Sequence, residues 1–128
     1  MRLEEAVGLT VADVTHSRFS ALPASATVAE VIEWFTGSTS HRMALLADDG
    51  RYVASLVPAD LDGADPDRPA AELAREWPTV APDEPAGRGE ELALSTDARR
   101  VPVVDREGRL LGVVAITTDL QGFCGTGG

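Results

Sequence analysis

Arg100-Val101-Pro102-Val103-Val104-Asp105-Arg106-Glu107-Gly108-Arg109-Leu110-Leu111-Gly112 reads as strand, turn, strand. An apolar run leads into an acidic turn closed by Gly-Arg, and a second apolar run follows. Glycine supplies the positive φ that a tight hairpin turn needs. Moved back by 58 residues, the pattern falls on Arg42-Met43-Ala44-Leu45-Leu46-Ala47-Asp48-Asp49-Gly50-Arg51-Tyr52-Val53-Ala54. A hairpin repeated at a fixed interval points to duplication of a larger unit.

The same shift holds upstream without a gap. Thr27 to Phe35 carries apolar residues at 28, 31, 32 and 35, the spacing of an amphipathic helix, and Thr27 with Glu30 forms a capping-box pattern. Its counterpart, Pro85 to Leu94, contains Gly87 and Gly89, each costing about 1 kcal/mol of helix propensity. Short strands are expected at Arg18–Leu22 and Trp77–Val80, preceded by helical openings at Thr10–Val14 and Pro69–Leu73. Pro58–Leu61 and Thr117–Leu120 read as starts of final helices, one with Pro in its first turn and one with a Thr cap. The order helix, strand, helix, strand, strand, helix therefore occurs twice. The expected organisation is a first repeat at 9–62, an acidic linker at 63–68, a second repeat at 69–122 and a flexible glycine-rich tail at 123–128.

Composition bounds what such a chain does. It has 128 residues and a net charge of −10, with 44% hydrophobic residues. That balance opposes nucleic acid, whose binding draws on Lys and Arg, and it opposes anionic membrane surfaces. No apolar run approaches the roughly 18 residues of a membrane span. A single cysteine, Cys124, rules out an internal disulfide and fits a reducing, cytoplasmic compartment. His16, His41 and Cys124 lack ligand-like spacing, and Asp60, Asp62, Asp65 and Asp67 do not match a calcium loop. No lysine is present, nor a phosphate loop, nor a nucleophile elbow. Neither catalytic residues nor a cofactor is expected.

With the twofold order of elements and the run Arg100 to Val114, the chain resembles a tandem pair of cystathionine β-synthase (CBS) domains over residues 9–122. The resemblance implies an α/β (α+β) fold: two repeats related by a pseudo-twofold axis and packed into one compact module. It implies a non-catalytic regulatory role and a homodimer. It also implies a cleft between the repeats for an adenosine compound (AMP, ADP, ATP or S-adenosylmethionine), with an unidentified regulated protein acting in trans. The alternative is a degenerate pair that serves dimerisation or protein docking without a nucleotide.

The family signature at the end of each hairpin is Gly, two apolar residues, Ser or Thr, any two residues, then Asp. Asp60 stands at the carboxylate position of the first copy, but Val57 replaces the hydroxyl and Pro58 removes a backbone donor. In the second copy Ala115 holds the hydroxyl position and Thr118 the carboxylate position, and Asp119 arrives one residue late. Asp60 and Asp119 are either ribose ligands or acids placed in a helix's first turn. Thr117 and Thr118 are a cap or a ligand contact. Arg42 and Arg100, aligned by the 58-residue shift, either face phosphate or pair with surface acids.

Overall fold

The computed structural model describes residues 8–16, 19, 21–37, 42–96, 98–116 and 122. The chain divides into two bodies, one from residue 20 to 77, the other joining the segment up to residue 19 with the chain from 78 onward. The compact bodies are thus cut differently from the sequence repeats.

In the 20–77 body, Ala21–Pro23 (β1) runs parallel to Ala44–Asp48 (β2), which pairs antiparallel with Arg51–Leu56 (β3). The turn between β2 and β3 is the predicted one, with Asp49 and Gly50 both at positive φ. A helix, Val28–Thr36, lies between β1 and β2. It starts as its sequence prescribes: Glu30 N–H donates to Thr27 Oγ1 at 3.3 Å and Thr27 N–H donates to Glu30 Oε1 at 3.2 Å. Its Val28 and Val31 pack with Ala44, Leu46, Leu56, Leu61 and Ala70 as the core. The expected final and opening helices here are single 3₁₀ turns, Pro58–Leu61 and Ala70–Glu72.

The other body follows the same plan from discontinuous pieces. Val11–Val14 (α1) precedes the 20–77 body in sequence, so Val28–Thr36 is α2 and Ala86–Leu94 is α3. Arg100–Val104 (β4) pairs antiparallel with Leu110–Ala115 (β5). The strand expected at 77–80 is one bridge, with Val80 N–H donating to Pro102 O at 3.1 Å and Val104 N–H donating to Val80 O at 3.0 Å. Pro78 and Pro82 on either side bring no N–H to lengthen it. Likewise β1 is shorter than the Arg18–Leu22 expected, of which Arg18 and Ser20 lie outside the described residues. The final helix at Thr117–Leu120 lies outside them too.

Each body is closed by the opening segment of the other repeat. Ala86 N–H donates to Leu9 O and Val11 N–H to Glu84 O, at 2.9 and 2.7 Å. In the 20–77 body the same clasp is Val28 N–H to Arg68 O and Ala70 N–H to Ala26 O, both 2.9 Å. Two helix-start N–H groups that would be orphaned, at Ala86 and Val28, are satisfied this way. The acidic stretch between the repeats is drawn into the second clasp, where Pro66 O also accepts from Ala29 N–H.

The glycines of the second repeat make room for its clasp. A Cβ on Gly89 would meet Val114 and Val11 side chains at 3.3–3.4 Å, so the residue that weakens α3 also lets it lie close to β5 and α1. At Gly112 a Cβ would stand 2.7 Å from His16 O, while His16 N–H donates to Val113 O at 2.8 Å. Gly112→Ala is therefore expected to force residues 15–16 off β5, costing about 1–3 kcal/mol. Denaturant unfolding checks this, with Gly87→Ala, where a Cβ meets nothing within 4 Å, expected to be neutral or stabilising.

Candidate ligand site at the hairpin exits

The ladders show that the repeat is not gap-free. In the first hairpin Leu46 pairs with Ala54; in the second Val103 pairs with Gly112. Since 112 lies 58 beyond 54 but 103 only 57 beyond 46, β4 is offset by one residue from the continuous alignment. The compensating residue sits in the turn, where Arg106-Glu107-Gly108 replaces Asp49-Gly50 and the Asp105 carboxylate accepts from Glu107 and Arg109 N–H at 2.9 Å. The backbone counterpart of Arg42 is consequently Arg99, not Arg100 as the 58-residue shift suggests. Exposure agrees: Arg42 and Arg99 are exposed, while Met43 and Arg100 are buried and half-buried. Both ladders slip at the same place, leaving Val53 and Leu111 unpaired as bulges.

At the first exit the chain leaves β3 at Leu56 and turns at Pro58. Asp60 is half-buried, and its Oδ2 accepts from Val57 N–H at 2.9 Å, so the carboxylate holds the turn it stands on. Leu56 belongs to the hydrophobic core. Beside it Ser55 is fully buried, its hydroxyl 2.8 Å from the Tyr52 hydroxyl, which accepts from Trp77 N–H at 3.1 Å. The Ser55 backbone is paired on both sides of its peptide with Arg75, at 2.8 and 3.0 Å. Sequence reading passed over Tyr52 and Ser55. Their only sequence signal is that they break an apolar run whose counterparts, Leu110 and Val113, are apolar.

At the second exit the strand continues further. Arg100 pairs with Ala115, and Ile116 N–H donates to Arg99 O at 3.0 Å. The equivalent of Ile116 in the first copy is Pro58, which has no N–H and so ends the ladder early. Arg100 is fastened at this rim: its guanidinium donates to Ala98 O at 2.8 Å, and its N–H to Thr96 Oγ1 at 3.0 Å. Arg99 takes a left-handed conformation, φ 56°. Thr117, Thr118 and Asp119 lie outside the described residues, as do His41 and Cys124. Of the six residues singled out, the structure therefore describes Asp60 and Arg42 in one body and Arg100 in the other.

Among the described residues, no group of three or more His, Cys, Asp or Glu could hold a metal, and no helix is long and apolar enough to cross a membrane.

The geometry is that of a known family. Residues 70–118 match the model of the CBS domain. A comparison with curated proteins gives no match. Among solved structures, the chain is similar to the cytosolic domain of the Mg2+ channel MgtE in complex with ATP. Identity there is 28% over 80% of this chain and 44% of that one, with a TM-score of 0.68. It also resembles the CBS-pair protein CBSX2 from Arabidopsis thaliana, seen in complex with AMP, at 23% identity, 83% and 89% coverage and a TM-score of 0.72. A third is the CBS domains of a transcriptional regulator from Streptococcus pneumoniae, at 18% identity, 84% and 92% coverage and a TM-score of 0.73. The second repeat is a CBS domain, and the chain carries the mixed α/β fold of CBS-pair proteins. The chain spans less than half of the MgtE domain it matches.

Burial pushes the Tyr52 phenol above its ordinary pKa of 10.0, partly offset by the hydrogen bonds to Ser55 and Trp77. A folded pKa above the unfolded one means stability is intact below about pH 10 and is lost as pH climbs through the raised value. Tyr52 is the chain's one tyrosine, so absorbance titration at the phenolate band isolates it. It is expected to ionise above a denatured control, and Tyr52→Phe, which strands Trp77 N–H, to cost about 1 kcal/mol.

Proposed function

We propose that this chain is a tandem CBS module, a non-catalytic regulatory unit that binds an adenosine nucleotide and acts on a separate protein, as a homodimer in the cytoplasm. The observation that carries the reading is the delayed exit of β5. Sequence alone sets Asp119 one residue beyond the signature's carboxylate position. The second hairpin, however, carries its ladder one pair further toward the exit than the first, through Arg100 and Ala115. A strand that stays paired one residue longer supports a carboxylate set one residue later in the sequence. On this reading Asp119 is the ribose acceptor, and Thr117 and Thr118, just before it in sequence, are further ligand contacts. Arg99 and Arg100, at the rim, supply charge toward phosphate. MgtE with ATP and CBSX2 with AMP, the similar proteins noted above, support an adenosine compound as the ligand.

The first exit supports the second reading, a degenerate site kept for packing. Pro58 offers no N–H to an anion, Val57 no hydroxyl, and Asp60 already spends one carboxylate oxygen on Val57 N–H. The two exits thus divide: the second for ligand, the first for structure, with Arg42 an exposed surface cation.

Thermal melting of nucleotide-free protein with AMP, ADP, ATP and S-adenosylmethionine tests this. Ligand at a hundred times its dissociation constant stabilises the native state by about 2.7 kcal/mol. The shift is expected to vanish in Asp119→Ala and persist in Asp60→Asn, which retains an acceptor for Val57. A shift lost only in Asp60→Asn would move the site to the first exit. No shift with any of the four would leave the docking reading standing.

A further inference from the structure

Three backbone bonds converge on one strained residue at the second exit. Arg99 stands at φ 56°, a left-handed conformation that costs a residue with a side chain energy and that glycine takes freely. Its N–H donates to Thr96 O at 3.1 Å, and its carbonyl accepts from Ile116 N–H at 3.0 Å. The next N–H, that of Arg100, donates to Thr96 Oγ1 at 3.0 Å. Strain of this kind persists only where the surroundings over-determine it, and it gathers at ligand clamps. Two of the three bonds end on Thr96. Its hydroxyl also lies 2.9 Å from both Ala93 O and Arg100 O, so it ties the last turn of α3 to the start of β4.

What the strain presents is a side chain. Arg99 is exposed, and among the described residues no hydrogen bond or ion pair engages its guanidinium. Arg100 beside it is half-buried and already donates to Ala98 O at 2.8 Å. The sequence carries the same loop twice. At the 57-residue interval that the ladders set, Ser95-Thr96-Asp97-Ala98-Arg99 matches Ser38-Thr39-Ser40-His41-Arg42, with Ser, Thr and Arg in common. An alignment at 58 hides this match.

We propose that Thr96 is a positioning residue that clamps Arg99 in its left-handed conformation, so that Arg99 rather than Arg100 meets the phosphates of the nucleotide. The inference rests on the nucleotide reading above and deepens it: the ligand class is a phosphorylated adenosine rather than S-adenosylmethionine, which carries no phosphate. A guanidinium offers a planar fork of N–H donors that matches phosphate oxygens. One that has no protein partner gives up no protein contact to bind them.

Titration calorimetry of the full chain with adenosine, AMP and ATP tests it. The quantity read is the ratio of the adenosine dissociation constant to that of ATP. Thr96→Val, which keeps the shape and removes the hydroxyl, is expected to lower that ratio about tenfold, and Thr96→Ser to keep it. Arg99→Gly should lower it as far while raising the melting temperature by about 4 °C, because glycine holds a positive φ without strain. Arg100→Met, copying Met43 of the first repeat, should change the ratio by less than Arg99→Gly does. No binding of any of the three by the unaltered chain would overturn the nucleotide reading and this inference with it. Adenosine and ATP bound equally, or a Thr96→Val variant that melts lower yet keeps the parent ratio, would overturn the inference alone. So would a ratio lost in Arg100→Met and kept in Arg99→Gly.

Discussion

The rest of the structure depends on a backbone clasp made twice. In each body, the N–H that opens the long helix donates to a carbonyl of an extended segment, and the first turn of that segment donates back. Leu9 and Val11 do this for α3, Arg68 and Ala70 for α2. Helix starts leave N–H groups without intrahelical partners, and leaving such a group buried and unsatisfied costs about 1–3 kcal/mol. Neither helix closes its start with side chains alone. Thr27 caps α2, but α3 begins after Pro85 with no side-chain cap at all. The clasping segments also bring apolar side chains: Val11 and Val14 enter one core, Ala70 the other. Separating either segment from its body would therefore remove hydrogen bonds and core packing together.

That exchange explains why sequence repeats and compact bodies differ. The duplication shows in sequence as elements in order, and an order of elements does not say which opening segment closes which sheet. The hairpins, the capping box of α2 and the helical character of Ala86–Leu94 despite two glycines could all be read in advance, because each rests on local chemistry: a turn glycine, a Thr-Glu pair, an apolar stripe. The short parallel strands could not be read to their ends. Their length is set by how many N–H groups the flanking prolines leave available, and by a partner strand distant in sequence.

The two hairpins that frame the candidate site were legible in the sequence, but their register was not. A continuous 58-residue shift aligns Arg42 with Arg100, and only the ladders show a residue lost before β4 and regained in the turn. Sequence periodicity is blind to two such changes that cancel. The buried Tyr52 and Ser55 escaped for another reason. A hydroxyl within an apolar strand looks like a weak core residue until its partner is seen, and here the partner of Tyr52 includes a backbone N–H 25 residues away.

The two copies have also been tuned apart at the same point of the fold. At the first exit the chain turns at Pro58, and the residues below it are fastened by polar contacts: Tyr52 to Ser55, Tyr52 to Trp77, Ser55 to Arg75, Asp60 to Val57. At the second exit Leu110 and Val113 take the places of Tyr52 and Ser55, and the ladder runs on through Ile116. Hydrogen bonds are directional, so a polar network fixes one geometry, whereas apolar packing tolerates small displacements at lower cost. A proline that ends a ladder and a network that pins the strand beneath it act in the same sense. The first exit is built to be held, whereas at the second the ladder keeps its N–H donors through Ile116.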